Sequence, residues 1–463
     1  MHRSTFFLAV LALPFGSGGS AADVRPERPN VIVIVSDNQG YRDLGCFGSP
    51  EAVTPHFDRL AAEGVKGLQF YVTSPACTPS RGSILTGRYP QRNGLYEMIR
   101  NELVTYKHRY TPAEYAYSPE MTLGLDEREI TVGNLLQGAG YVTGVIGKWD
   151  SGRARRFLPR QRGFDYFYGL AVTGIDYWTH ERYGVPSMYR NNQLVREEGF
   201  SEELFTREAL AFIRDNQRRP FFLYLPYHAP SGNANLDQRD INPPQRYLAQ
   251  YPNRDPKDKR TQYLATITCM DDGVGRIMAL LRELDLDEKT LVMFFPDNGT
   301  GGGTADNGIL RATGTQIDRL GEGGVRVNFI ARWPGVIPAG TTTSAFLSAL
   351  DILPTLAAVS GAEVPPWLRL DGTNILPVLQ GRATSPRTEM FWQSRNSRAA
   401  RVGRYKWVEA PSFSGLFDLD QDPGETRDLS AEQPGELSRI RGRWEAWRRE
   451  MDAAEPRGPF RDY

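Results

Sequence analysis

Residues 31–35 read VIVIV, a continuous β-branched run of the kind a strand carries when both its faces are covered, as in a parallel sheet. Similar apolar runs recur at 141–146, 221–225, 291–295 and 327–331, and helix-like patterns fill 56–63, 131–137, 204–216 and 262–284 between them. Strands alternating with helices predict crossover units, hence a large, mostly parallel sheet sandwiched by helices. After Trp333-Pro334-Gly335 the pattern changes. A helix over 349–359, short strands at 390–392 and 405–408, and an amphipathic helix over 437–451 come next. The expected organisation is a large α/β domain over 23–339 and a smaller C-terminal α+β domain over 340–463. No internal repeat or low-complexity run interrupts it.

Composition narrows the class. The 463 residues hold 55 Lys+Arg against 55 Asp+Glu, a balance that argues against nucleic acid as a partner and against a polybasic membrane binder. With 24% charged and 11% aromatic residues the chain is not of a disordered type. Three cysteines are too few for a disulfide scaffold, and their odd number leaves one unpaired in any intramolecular scheme. Cys46 and Cys269 are left either to pair or to stay buried. Residues 1–22 read as a signal peptide: a positive start, an apolar stretch over 6–15 too short to span a bilayer, and Ser20-Ala21-Ala22 before Asp23. No cysteine directly follows that stretch to carry a lipid anchor there. The expected location is therefore periplasmic or secreted, with no membrane anchor.

The chemistry sits at the carboxyl end of each apolar run. The first ends in Ser36-Asp37-Asn38, the second in Gly147-Lys148-Trp149-Asp150, the third in Pro226-Tyr227-His228, and the fourth in Pro296-Asp297-Asn298-Gly299. In an open α/β sheet the ligand crevice lies at the carboxyl ends of the strands, so these clusters are expected to converge. Asp37, Asn38, Asp297 and Asn298 are oxygen donors, suited to Ca²⁺ or Mg²⁺ rather than to zinc. The chain has only five histidines from which a zinc site could draw. The competing reading of the two Asp-Asn dipeptides is a pair of Asx turns. A fifth element, Cys77-Thr78-Pro79-Ser80-Arg81-Gly82, places Cys77 at a helix N-terminus, where the dipole favours an anion, with Arg81 one turn on. Its alternative is an ordinary buried thiol.

CTPSRGSILTGRYP, starting at Cys77, resembles the signature of the formylglycine-dependent sulfatases: cysteine, any residue, proline, any residue, arginine. The resemblance extends through NVIVIVSDNQGYRDLGCFG, TPHFDRLAAEG, AGYVTGVIGKW, RGFDYFYG, PFFLYLPYHAP, DNG, EGGVRV with RWPG, DILPTL and LFDLDQDPGETRDLS, in the family's order. It implies an alkaline phosphatase-like fold and an arylsulfatase-like hydrolase whose Cys77 becomes formylglycine through a formylglycine-generating enzyme. It further implies a divalent cation, Ca²⁺ with Mg²⁺ as alternative, on Asp37, Asn38, Cys77, Asp297 and Asn298. The implied catalytic set is Cys77, Arg81, Lys148, Asp150 and His228. The hydrated aldehyde attacks sulfur, His228 protonates the departing alcohol, Lys148 and Arg81 neutralise sulfate oxygens, and the second hydroxyl expels sulfate.

The chain departs from the family at three places. Asn38 stands where a second aspartate is usual, Asp150 comes after GKW where many members have histidine, and residues 311–321 hold no lysine before EGG. Gln316 and Arg319 are the candidates to reach the sulfate in its place. Asp150 either replaces the histidine as base, held ionised by Lys148 and the cation, or marks a site that binds anions without turnover. Phosphodiester or phosphonate hydrolysis, known in the superfamily, is a further alternative. The expected substrate is a sulfated small molecule or glycan. Arg153, Arg155, Arg156, Arg160 and Arg162 either meet a polyanion or form a solvated loop. Tyr166, Phe167, Tyr168, Tyr177 and Trp178 either stack on sugar or belong to the core, and His180 either lines the pocket or packs.

Overall fold

The computed structural model describes residues 28–454 except 102, 104–107, 236, 238–239, 302 and 317. The expected leader, residues 1–22, lies outside the described residues. The strands in chain order are β1 (Asn30–Ser36), β2 (Val65–Tyr71), β3 (Val142–Lys148), β4 (Tyr166–Leu170), β5 (Glu181–Arg182), β6 (Val185–Pro186), β7 (Met188–Arg190), β8 (Gln193–Leu194) and β9 (Phe221–Pro226). They continue as β10 (Thr290–Pro296), β11 (Arg326–Arg332), β12 (Thr341–Thr343), β13 (Leu347–Ser348), β14 (Glu389–Ser394), β15 (Ser397–Val402), β16 (Tyr405–Ala410) and β17 (Phe413–Asp418).

An 11-stranded sheet runs β12-β2-β11-β10-β1-β9-β3-β4-β7-β8, with β13 beside β2. Its centre, β10-β1-β9-β3-β4, is parallel throughout. β11 and β7, in contrast, run antiparallel to their neighbours. The VIVIV run explains why β1 sits in the middle. Val31, Val33 and Val35 enter one core, Ile32 and Ile34 the other, and all are buried. The first core is shared with the C-terminal layer, through Trp392, Trp407 and Trp444. The second is covered by helices Pro55–Ala62, Ser201–Asn216 and Lys259–Glu283.

The C-terminal layer is an antiparallel sheet, β14-β15-β16-β17, with helix Pro434–Ala453. Trp392 Nε1 donates to Val72 O at 2.7 Å and so ties this layer to the large sheet. The division expected at residue 340 cuts through the large sheet, because β12 and β13 still pair with β2. Asp271, on helix Lys259–Glu283, accepts from His56 N and Phe57 N and caps helix Pro55–Ala62 from outside. All three cysteines are free, Cys46 half-buried and Cys77 and Cys269 buried, which settles the pairing left open between Cys46 and Cys269. Among the described residues no helix is long and apolar enough to cross a membrane.

Candidate active site

Four neighbouring parallel strands deliver the polar clusters. β10 leads to Asp297 and Asn298, β1 to Asp37 and Asn38, β9 to His228, and β3 to Lys148 and Asp150. Backbone bonds continue past the strand ends: Asp297 N donates to Ser36 O at 2.9 Å, and Asp37 N to Ala229 O at 2.8 Å. Asn38 and Asp150 then adopt φ of 58° and 49°, left-handed conformations that Asn and Asp reach at lower cost than other side chains. Gly147 has φ 120°, and a Cβ there would fall 2.0 Å from Pro226 O, so only glycine lets β3 approach β9 just before Lys148.

Helix Cys77–Thr86 closes the site from above and is buried along its whole length. It starts at Cys77 without a side-chain cap and ends on Gly87 in the left-handed region. Cys77 Sγ donates to Asp37 Oδ1 at 3.0 Å. Ligand atoms of Asp37, Cys77 and Asp297 lie within 4.8 Å of one another. Asn298 Nδ2 donates to Asn38 Oδ1 at 2.6 Å, which leaves the buried Asn298 Oδ1 without a partner. Two buried carboxylates and a free amide oxygen form an oxygen-rich set of the kind that fits a hard divalent cation.

The charges are strongly coupled. Burial raises Asp37, but Lys148, paired with it directly, together with His228 and Arg81 holds it well below the usual carboxylate range. Burial and then the Asp37 charge push Asp297 up to about 6, against Arg81. Arg81 is fully buried: Nε and Nη2 reach Asp297 Oδ2 at 2.9 and 2.8 Å, and Nη1 donates to Lys148 O at 2.9 Å. Its guanidinium therefore holds Asp297 in place rather than facing open space. Asp150 accepts from Thr78 Oγ1 at 2.9 Å and lies 3.6 Å from Lys148 Nζ. Burial raises the Asp150 pKa, opposed by Lys148 and then Arg81. Burial also raises Cys77 well above an ordinary thiol, reinforced by Asp37.

His228 Nε2 lies 3.2 Å from Ile175 O, which makes it the donor, and Nδ1 faces Asp37 Oδ2 at 3.6 Å. Burial lowers its pKa despite Asp37. The Tyr177 ring stacks on it at 4.7 Å, and Glu202 Oε1 accepts from Ala229 N at 2.7 Å to hold the next turn. Three further residues bear on the site. Asn38 Nδ2 donates to Ser231 Oγ at 2.9 Å, Gln316 Nε2 lies 3.8 Å from Cys77 Sγ, and Thr78 holds Asp150. Thr78 and Ser231 are readable in sequence only as polar residues one position beyond Cys77 and three beyond His228. Glu202 carries no local signal.

The arginine run divides. Arg153 and Arg162 are buried, Arg153 bonded to Tyr189 and Ser187 and Arg162 to two backbone carbonyls, whereas Arg155, Arg156 and Arg160 are exposed. Tyr166 and Tyr168 bond to Glu208 and Glu197 at the second core, and Phe167 and Tyr177 are buried. Trp178, 44% exposed, is the one member of that aromatic group open to solvent. His180 packs, with Nε2 3.0 Å from Gly199 O.

Fold and site together define a hydrolase of the alkaline phosphatase-like class. Residues 29–362 match the sulfatase family, and residues 319–440 match the family described as N-sulphoglucosamine sulphohydrolase, C-terminal. The chain belongs to the sulfatase family and is a sulfuric ester hydrolase. It is 32% identical over 475 residues to N-acetylgalactosamine-6-sulfatase of Sus scrofa, covering 91% of this chain and 85% of the relative. Arylsulfatase A of Homo sapiens is 32% identical over 494 residues, covering 93% and 90%. The solved structure of Ps i-CgsB in complex with k-i-k-neocarrahexaose has a TM-score of 0.80 at 29% identity, covering 91% of this chain and 93% of that one.

Proposed function

We propose that this sulfatase cleaves sulfate monoesters on a carbohydrate, using formylglycine made from Cys77 and a bound Ca²⁺ or Mg²⁺. The observation that carries the reading is Cys77 itself. Its thiol is buried at the centre of the site and held protonated by burial and Asp37, so as a thiol it is a poor nucleophile. Converted to formylglycine, it supplies a hydrated aldehyde with one hydroxyl to attack sulfur and a second to release sulfate. Asp37, Asp297, Asn298 and Asn38 would hold the cation, which supplies positive charge beside the nucleophile.

The remaining residues have separate tasks. Lys148 places a charge beside Asp37 where sulfate oxygens gather, and Arg81 fixes Asp297. Gln316, rather than Arg319, lies against Cys77 and donates an amide N–H toward the ester in place of the usual lysine. His228, with Nε2 tied to Ile175 O, carries its proton on Nδ1 to the leaving alcohol; the arriving anionic ester favours that protonated form. Asp150, raised by burial, takes a proton from the nucleophile with Thr78 orienting it. The names of N-acetylgalactosamine-6-sulfatase and of the neocarrahexaose complex support a sugar substrate, and exposed Trp178 beside Tyr177 offers a face for it. The leader read in residues 1–22 supports a periplasmic or secreted location, with a formylglycine-generating enzyme as maturation partner.

Mass spectrometry of the peptide spanning Cys77, from chain co-expressed with that enzyme, tests the nucleophile; an unconverted thiol in an active preparation overturns it. Side-by-side assays with an aryl sulfate, sulfated sugars and an aryl phosphodiester test the substrate. Faster phosphodiester cleavage would favour the phosphonate-type reading, and no turnover of any ester would favour the anion-binding one.

A further inference from the structure

Arg319 is 9% exposed and lines a cavity of about 260 Å³ with Asn38, Ser231, Asp240, Lys259 and Gln316. Among the described residues its guanidinium makes one hydrogen bond, Nη2 to Gly314 O at 3.2 Å, and its Nε has no partner. Among the described residues no carboxylate pairs with it, and burial alone lowers its pKa. Other buried guanidinium groups are answered: Arg182 pairs with Glu120, Arg387 with Asp351, and Arg162 donates to two carbonyls. A buried cation without a counter-ion is costly, and an anionic ligand removes the cost.

The position is also built. A Cβ at Gly301 would fall 2.4 Å from Arg319 Nε and one at Gly324 2.8 Å from its Cγ, so two glycines make the seat for this side chain. Lys259 stands exposed at the same cavity, and Asp240 is the one acid among the lining residues. Cys77, Lys148, Asp150 and His228 do not line it, whereas Gln316 touches both the cavity and Cys77. Gln316 therefore stands between the position of an anion at Arg319 and the reacting centre at Cys77.

We propose that Arg319, with Lys259 at the rim of the cavity, binds a second sulfate group carried by the substrate beside the ester that is cleaved. A guanidinium and an ammonium from two separate parts of the chain, meeting at one cavity, suit an anion with several acceptor oxygens. The assignment rests on the sulfated-carbohydrate reading and makes its substrate class polysulfated sugars.

Calorimetric binding to the Cys77→Ala chain, which needs no turnover, tests it with galactose 6-sulfate and galactose 2,6-, 3,6- and 4,6-disulfate. At least one disulfate should bind more tightly than the monosulfate, and Arg319→Gln should cut that preference about tenfold or more. Arg319→Lys should fall between. In matured enzyme the same ratio should appear in KM. Lys259→Met, at the exposed rim, should shift the preference in the same direction and serves if Arg319→Gln does not fold. No preference for any disulfate, or a preference that neither substitution alters, overturns the assignment. Failure of the sulfatase reading is distinct: wild-type matured enzyme then releases sulfate from neither these sugars nor 4-nitrophenyl sulfate, and the second-sulfate assignment falls with it.

Discussion

The Thr78 hydroxyl donates to Asp150 Oδ1 at 2.9 Å, so the residue after Cys77 orients the carboxylate that stands where many sulfatases carry histidine. If Asp150 is the base, Asp150→Asn keeps the size and the acceptor from Thr78 but removes the proton sink. Sulfate release should fall by about 100-fold or more, with Cys77 still converted. Turnover at the wild-type rate would remove Asp150 from the chemistry.

His228 should matter in proportion to how much help the leaving group needs. His228→Ala should slow sugar sulfates by about 100-fold or more and 4-nitrophenyl sulfate much less, since nitrophenolate departs without a proton. Equal losses on both would show that His228 only shapes the site.

Asp37 and Asp297 are buried carboxylates sharing one pocket, and burial, then the Asp37 charge, pushes Asp297 up to about 6. Adding Ca²⁺ to chelator-treated chain should raise Tm with concentration, by about 2.7 kcal/mol of stability at 100 times Kd. A Tm indifferent to Ca²⁺ and Mg²⁺ would count against the cation. Asp37→Asn should remove the effect.

Lys406 on β16 is fully buried between Glu322 Oε1 at 2.9 Å and Glu425 Oε1 at 3.0 Å. Lys406→Met takes the cation from Glu425, leaves Glu322 with Arg326 at 3.4 Å, and should cost about 3–5 kcal/mol at neutral pH by chemical denaturation. Burial raises Glu322, but Lys406 and nearby arginines bring it down to about 2 from 4.5, so its contribution is present above pH 4.5 and fades toward pH 2. The gap between wild type and variant should narrow over that interval. A gap independent of pH would mean that lost packing, not charge, sets the cost.

Asp271 shows the opposite sign. Burial, opposed by the Phe57 and His56 amides, raises it from 3.8 to about 7, so the folded state holds a proton that the unfolded state has lost. Stability therefore falls as pH rises from about 4 to 7. Asp271→Asn can still accept an amide N–H and lacks that penalty. Its Tm relative to wild type should improve between pH 5 and pH 8, and a constant difference would refute the account.

The centre of the molecule is legible in the sequence because its signals are local. VIVIV needs burial on both faces wherever it lies, and the Asp-Asn dipeptides stand at strand ends that topology brings side by side. The sheet's margins are not legible. β2 reads VKGLQFY, whose Lys66 and Gln69 break the apolar run, and β11 looks like any core strand although it runs antiparallel. The role of Arg81 escapes a sequence reading for a related reason: its partner Asp297 is 216 residues away. A charged neighbour in the sequence points to Lys148 as the influence on Asp150, but the depth of its burial, invisible there, pushes its pKa the other way.

The Glu322 cluster has a consequence for the timing of synthesis. Gly299, next to Asn298, donates its N–H to Gly324 O, so this wall of the site hangs on the Glu322-Gly323-Gly324 turn. The cation that neutralises Glu322 is made 84 residues later, and Glu425, which accepts from Glu322 N, 103 residues later. At ribosomal speed that is a delay of about 4 s or longer. Cys77, sealed at 2% exposure in the finished fold, is translated well before that lock exists, and any enzyme that converts it would have that interval in which to reach it.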